Sequence, residues 1–150
     1  IVLCENLSIS GINTAGIPDN IMKTLILDIK FDQKYFERVI HHEVFHIIND
    51  QHKELFDEKE WKKFNDSKFR YEKCSTCTKN LGLNKYEKTE GFFTEYSKST
   101  ASEDMAEVYS HMIYLNIEKI NQIRKLDKIL DKKISYIESK IKKIDNSFIF

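Results

Sequence analysis

Residues 32–50 read DQKYFERVIHHEVFHIIND, and the spacing within this stretch decides how the rest of the chain is read. Tyr35, Phe36, Val39, Ile40, Val44, Ile47 and Ile48 recur at steps of three and four, the period of a helix with one apolar face. Asp32 supplies an N-cap, so the stretch predicts one amphipathic helix from 32 to about 50. Inside it lies His42-Glu43-Val44-Phe45-His46, an HExxH pattern. A spacing of four puts both imidazoles on one helix face, a turn apart, where they can share one ion. Zinc suits imidazole nitrogen at about 2.0–2.1 Å, and a catalytic site takes three protein ligands and leaves one position open. Glu43 lies beside the pair, where its carboxylate can take the proton of a metal-activated water. His41 is out of register and is expected behind the ligands or at the surface. The bland alternative is a surface helix with exposed histidines, although chance yields this pattern in only about one or two of a hundred such chains.

Outward from this helix the period changes. TLILDI at 24–29 reads as a strand, and the apolar, partly β-branched stretches 1–4 and 7–9 suggest another. Gly11, Gly16 and Pro18 punctuate a loop between them. Residues 52–91 are rich in Lys, Asp and Glu, with Trp61, Phe64, Phe69 and Tyr71 interspersed, and read as short helices and loop. A helix is predicted from near Thr100, carrying Met105, Ala106, Val108, Tyr109, Met112 and Ile113. A final helix covers about 117–145, where Leu130, Ile134, Ile137, Ile141 and Ile144 alternate steps of four and three among lysines. That stripe either packs on its own domain or forms a coiled-coil seam. The fold class is α+β: a small sheet with the motif-bearing helix, and a helix-rich C-terminal half, in one domain over 1–150.

Composition narrows the classes. A chain of 150 residues, 41% hydrophobic and 12% aromatic, can bury a core. Its 24 basic and 24 acidic residues balance, which argues against a nucleic-acid binder. No apolar run approaches the roughly 20 residues that span a bilayer. The chain starts at Ile1, so a fragment or processed form is expected. Cys4, Cys74 and Cys77 are too few for a disulfide framework. Cys74-Ser-Thr-Cys77 is half of a zinc ribbon without its second pair, leaving a local disulfide, a redox pair or two ordinary loop cysteines.

Two residues compete to be the third ligand. From His42 to His52 the chain reads HExxHxxNxxH, metzincin spacing with Asn49 where glycine is usual. Asn tolerates the left-handed conformation such a helix end needs. A metzincin also needs a Met-turn downstream, whereas Met105 and Met112 sit in a helical segment. The other candidate is Glu103, which with Glu107 and His111 recurs every four residues along one helix face. Thr100-Ala-Ser-Glu103 is equally a capping box, with the Glu103 side chain bonded to backbone amides. On the residues alone these two readings of Glu103 stand even. His111 reads as an exposed or core histidine.

Tyr96, six residues, Glu103, three residues, Glu107 is similar to the second half of the catalytic domain of anthrax lethal factor. The chain resembles still more the bacterial family described as putative zinc-binding metallopeptidases, many of them lipoproteins. The resemblance is carried by His41 to His46, Trp61 with the aromatic stretch at 69–71, Gly91-Phe92, Tyr96, and Glu103-Asp-Met-Ala-Glu107. It implies a zincin-like, gluzincin-type peptidase acting on a peptide or protein, with Zn2+ held by His42, His46 and Glu103. Tyr96 becomes the oxyanion stabiliser, and Asp104 and Glu107 are candidates to orient the ligand histidines. The strand at 24–29 becomes the edge that pairs with substrate, and a secreted or cell-surface location is expected. A catalytically inactive binding module with the same fold, and a helical interaction domain built on the final helix, are the competing classes. The resemblance assigns no role to Cys74 and Cys77.

Overall fold

The computed structural model describes residues 1–9, 11–77, 82–84 and 90–150. Five short strands come first: Val2–Cys4 (β1), Ser8–Ile9 (β2), Ile12–Asn13 (β3), Gly16–Asp19 (β4) and Thr24–Asp28 (β5). β2 and β3 form a small antiparallel pair, while the others make a mixed sheet in the order β1-β5-β4. β1 runs parallel to β5, with Val2 opposite Ile26, and β4 runs antiparallel to it, with Gly16 opposite Leu27.

Three strand expectations change. The single strand suggested by 1–4 and 7–9 is split, because Asn6 takes a positive φ of 58° and turns the chain between β1 and β2. Gly16 and Pro18, read as loop punctuation, lie inside β4. Proline is tolerated there because β4 is an edge strand and can spare an N–H. The strand at 24–29 is present, but it is the centre of the sheet rather than its edge, so its backbone is already paired on both sides.

The helical period is realised as Phe36–Gln51 (α1), entered through a 3-10 turn, Gln33–Tyr35, whose N-cap Asp32 accepts from Lys34 N–H at 3.2 Å. Glu58–Lys62 (α2) follows, the short helix within the irregular stretch; the parts of that reading at 78–81 and 85–89 lie outside the described residues. Ala101–Tyr114 (α3) begins at its N-cap Thr100, whose hydroxyl accepts from Glu103 N–H at 3.2 Å. The final helix is two helices, Ile117–Leu126 (α4) and Lys128–Ile144 (α5). Asp127 breaks it by capping α5 through Ile129 and Leu130 N–H, both at 2.9 Å, and by accepting from Gly91 N–H at 2.7 Å. The class is α+β, as composition and periodicity imply.

α1 is shared by two cores. Val39, with Ile40, Val44 and Ile47, packs on Leu25 and Leu27 of β5. Phe45, on another face, is wholly buried among helices, 5.2 Å from the Phe56 ring and 5.3 Å from Tyr109. Truncating such a phenylalanine costs about 3–5 kcal/mol. The α5 stripe of Leu130, Ile134, Ile137 and Ile141 is buried in that same helical core, against α3. It packs on its own chain.

Candidate metal centre

α1 and α3 run antiparallel, face to face, and residues spaced by four on each helix meet in rungs. His46 Nε2 lies 3.2 Å from Glu103 Oε2, His42 Nδ1 lies 2.9 Å from Glu107 Oε1, and Arg38 Nη1 lies 3.2 Å from His111 Nε2. The two i, i+4 series, Arg38-His42-His46 and Glu103-Glu107-His111, therefore zip together. At the top rung three donor atoms converge. His42 Nε2 and His46 Nε2 are 3.1 Å apart, and Glu103 Oε2 lies 2.9 Å from His42 Nε2. Among the described residues, these three side chains form the group that can hold a metal ion.

The fit to an ion can be judged on this geometry. Ligands about 2.0–2.1 Å from a tetrahedral ion stand about 3.3 Å from one another, so shifts of a few tenths of an ångström admit zinc. Glu107 fixes the tautomer needed: His42 donates from Nδ1 to its carboxylate, leaving the Nε2 lone pair facing the point of convergence. Ser102 Oγ is 3.5 Å from Nδ1 of His46, on the side away from that point.

Electrostatics follow from burial and these contacts. Burial would raise Glu103, but the hydrogen bonds and charges of His42 and His46 outweigh it and hold the carboxyl well below the usual range. Burial likewise opposes ionisation of Glu107, yet His42 foremost, with His111 and Arg38, lowers it to about 2. Burial disfavours the imidazolium of His42, but the two carboxylates raise its pKa well above the ordinary value. A divalent cation reverses that preference, because ligand imidazoles must be neutral. Glu43 is raised, chiefly by burial.

Glu43 faces the sheet. A Cβ at Gly16 would stand 2.8 Å from Glu43 Cγ, so the glycine is what lets the edge strand β4 approach the carboxylate. Tyr96, in the 3-10 turn Tyr96–Lys98, lies with its ring 5.9 Å from that of His42, and its hydroxyl interacts with Glu103 and Ser75. Burial, then the negative charges of Glu103 and Glu43, push the phenol far above its ordinary value, so it remains a proton-bearing donor. All of these line one cleft of about 630 Å³, with Gly16 and Pro18 at its sheet side and Phe31 and Val39 making an apolar end. Cys74 and Cys77 are joined in a disulfide, and the loop they close brings Ser75 and Thr76 to the cleft.

Several candidates land elsewhere. His52 caps the end of α1 and, among the described residues, pairs with Glu54, 3.9 Å away at the surface, outside the converging group. Glu103 does not reach back to a backbone amide as in a capping box; Thr100 alone caps, and the carboxylate turns to the histidines. Asp104, considered for orienting a histidine, points away from both: its Oδ2 accepts from Trp61 Nε1 at 2.8 Å, Tyr71 OH at 2.5 Å and Lys133 Nζ at 2.6 Å. His111 is a core histidine, 3% exposed, with its ring stacked 4.3 Å from Phe93. Arg38 and Thr94 were missed by sequence reasoning. Arg38 had a signal, its place four residues before His42; Thr94, donating to Glu107 Oε2 at 2.8 Å, had none.

Two imidazoles, that of His42 buried and that of His46 half-buried, and a carboxylate converge between two helices, a donor set that could hold a divalent ion. The chain belongs to the family described as putative zinc-binding metallo-peptidase, whose model matches residues 8–146. No curated protein and no solved structure was found to match, so the likeness to lethal factor rests on the spacing of Tyr96, Glu103 and Glu107 alone.

Proposed function

We propose that this protein hydrolyses peptide bonds, with zinc held by His42, His46 and Glu103. The observation that carries the reading is the convergence of three donor atoms within one cleft, with a buried glutamate beside them. Zinc held there would supply Lewis acidity to a water and to the scissile carbonyl. Glu43 is placed to accept a proton from the attacking water on its carboxylate and to return it to the departing amine. Its raised proton affinity suits a group that must both accept and give back a proton. Tyr96 donates its hydroxyl hydrogen to the carbonyl oxygen as negative charge builds. Glu107 holds the ring of His42 in register, and β4, the edge strand beside Glu43, is where an extended substrate can add to the sheet.

The test is cleavage of a mixed peptide library by zinc-loaded protein, with and without a chelator, alongside Glu43→Gln. Cleavage should be lost with the chelator and restored by zinc. Glu43→Gln should keep its zinc but lose turnover by about 10²–10⁴-fold, the usual contribution of general acid–base catalysis. Cleavage that survives in Glu43→Gln contradicts the role given to Glu43, and zinc-loaded protein that cuts nothing points to an inactive binding module.

A further inference from the structure

Lys133, one of the lysines interspersed along the last helix, is fully buried. Its ammonium lies 2.6 Å from Asp104 Oδ2, 2.6 Å from the Gly91 carbonyl oxygen, and 4.0 Å from the centre of the Phe92 ring. Trp61 and Tyr71 donate to the same Asp104 oxygen, so α2, the segment after it, α3 and α5 meet at one carboxylate. Among the described residues, Asp104 Oδ1 finds no hydrogen-bond partner. Buried ion pairs are poor sources of stability, since desolvation offsets their attraction, so stability alone does not explain this one.

What the pair joins does explain it. Asp104 follows Glu103 directly, in the first turn of α3. Gly91, at a φ of +90°, begins the segment that brings Thr94 to Glu107 and Tyr96 to the cleft. One ammonium thus ties the helix start that carries Glu103 to the origin of the segment that carries Tyr96. We infer that Lys133 is a positioning residue of the metal site, and that α5 is the bracket that fixes Glu103 and Tyr96 relative to each other. This rests on the metal reading proposed above.

The experiment measures zinc affinity, by competition with a chromophoric chelator, and the visible spectrum of the cobalt(II)-loaded protein. Lys133→Met keeps the length and removes the charge. Where the unpaired Asp104 prevents its folding, Asp104→Asn with Lys133→Met removes both charges together. Folded protein of either kind should bind zinc about 10- to 100-fold more weakly, the range for partners behind metal ligands, and give an altered cobalt spectrum. Glu138→Gln serves as the control, because it breaks a clamp between α4 and α5 (Arg124 Nη1 to Glu138 Oε1, 3.0 Å) remote from the site, and its affinity should stay at the wild-type value. Wild-type affinity and spectrum in folded Lys133 variants, or equal weakening by Glu138→Gln, overturns the inference. Wild-type protein that takes up neither metal overturns the metal reading instead, so the two failures are distinguishable.

Discussion

Glu103 separates the two ligand sets that the residue pattern leaves open. Its carboxylate lies against both histidines, whereas His52 is at the surface beyond the end of α1. Glu103→Ala should therefore weaken zinc binding by more than the roughly 10- to 100-fold typical of an outer partner, and His52→Ala should leave it unchanged. Zinc titration of both variants checks this, and the reverse ranking supports a metzincin arrangement. Tyr96→Phe removes one donor aimed at the developing oxyanion while keeping the ring. It should lower kcat by about 10²–10³-fold with zinc affinity unchanged, as measured by steady-state kinetics on a cleaved peptide. That His42 and His46 share one helix face was legible, because HExxH carries its own geometry. The partners of those histidines were less so: Asp104 and Glu107 are equivalent as acidic residues in a helical sequence, and only the orientation of α3 sends one to His42 and the other to Trp61, Tyr71 and Lys133.

Between elements, the antiparallel pairing of α1 with α3 makes the site, and β4 closes it. Gly16 is the contact point, with a Cβ there 2.8 Å from Glu43 Cγ. Gly16→Ala should push Glu43 out of line and lower kcat severely, since misplacement by about 1 Å can cost about 100-fold. The urea midpoint should move little, because β4 keeps its pairing with β5; equal losses of stability and activity would argue against this contact. α1 and α3 were readable from periodicity, being long enough for the 3.6-residue pattern to repeat. β4 was not, because Gly16 and Pro18 are turn residues by local preference and become strand only through β5. The break at Asp127 was hidden in a lysine-rich helical pattern, although an aspartate before Lys128-Ile-Leu is itself a capping signal.

For the molecule as a whole, the α1–α3 interface sets the response to acid. Burial foremost lowers His111 to about 4 from 6.5, and its Nδ1 donates to the Glu107 carbonyl oxygen at 2.7 Å. The unfolded chain thus binds that proton first, and stability falls as pH drops from 6.5 through about 4. Glu107, lowered to about 2 from 4.5, adds a loss of the same sign as pH falls from 4.5 through about 2. These two groups should pull the urea midpoint of chelator-treated protein down on the acid side, against the opposite pull of Glu43, whose raised carboxyl gains stability as pH falls. His111→Phe should remove the upper part of that downward pull. A curve unchanged by that substitution would contradict the assignment to His111. Long-range partnership of this kind, Arg38 with His111 or Lys133 with Asp104, was beyond sequence reasoning because nothing local distinguishes a buried lysine from a solvated one on α5. The most direct test of the account is an anomalous difference map at the zinc edge from crystals of zinc-loaded protein. The account predicts one peak between α1 and α3, bonded to Nε2 of His42, Nε2 of His46 and a carboxylate oxygen of Glu103; a peak bonded instead to His52, or no peak at that cleft, would contradict it.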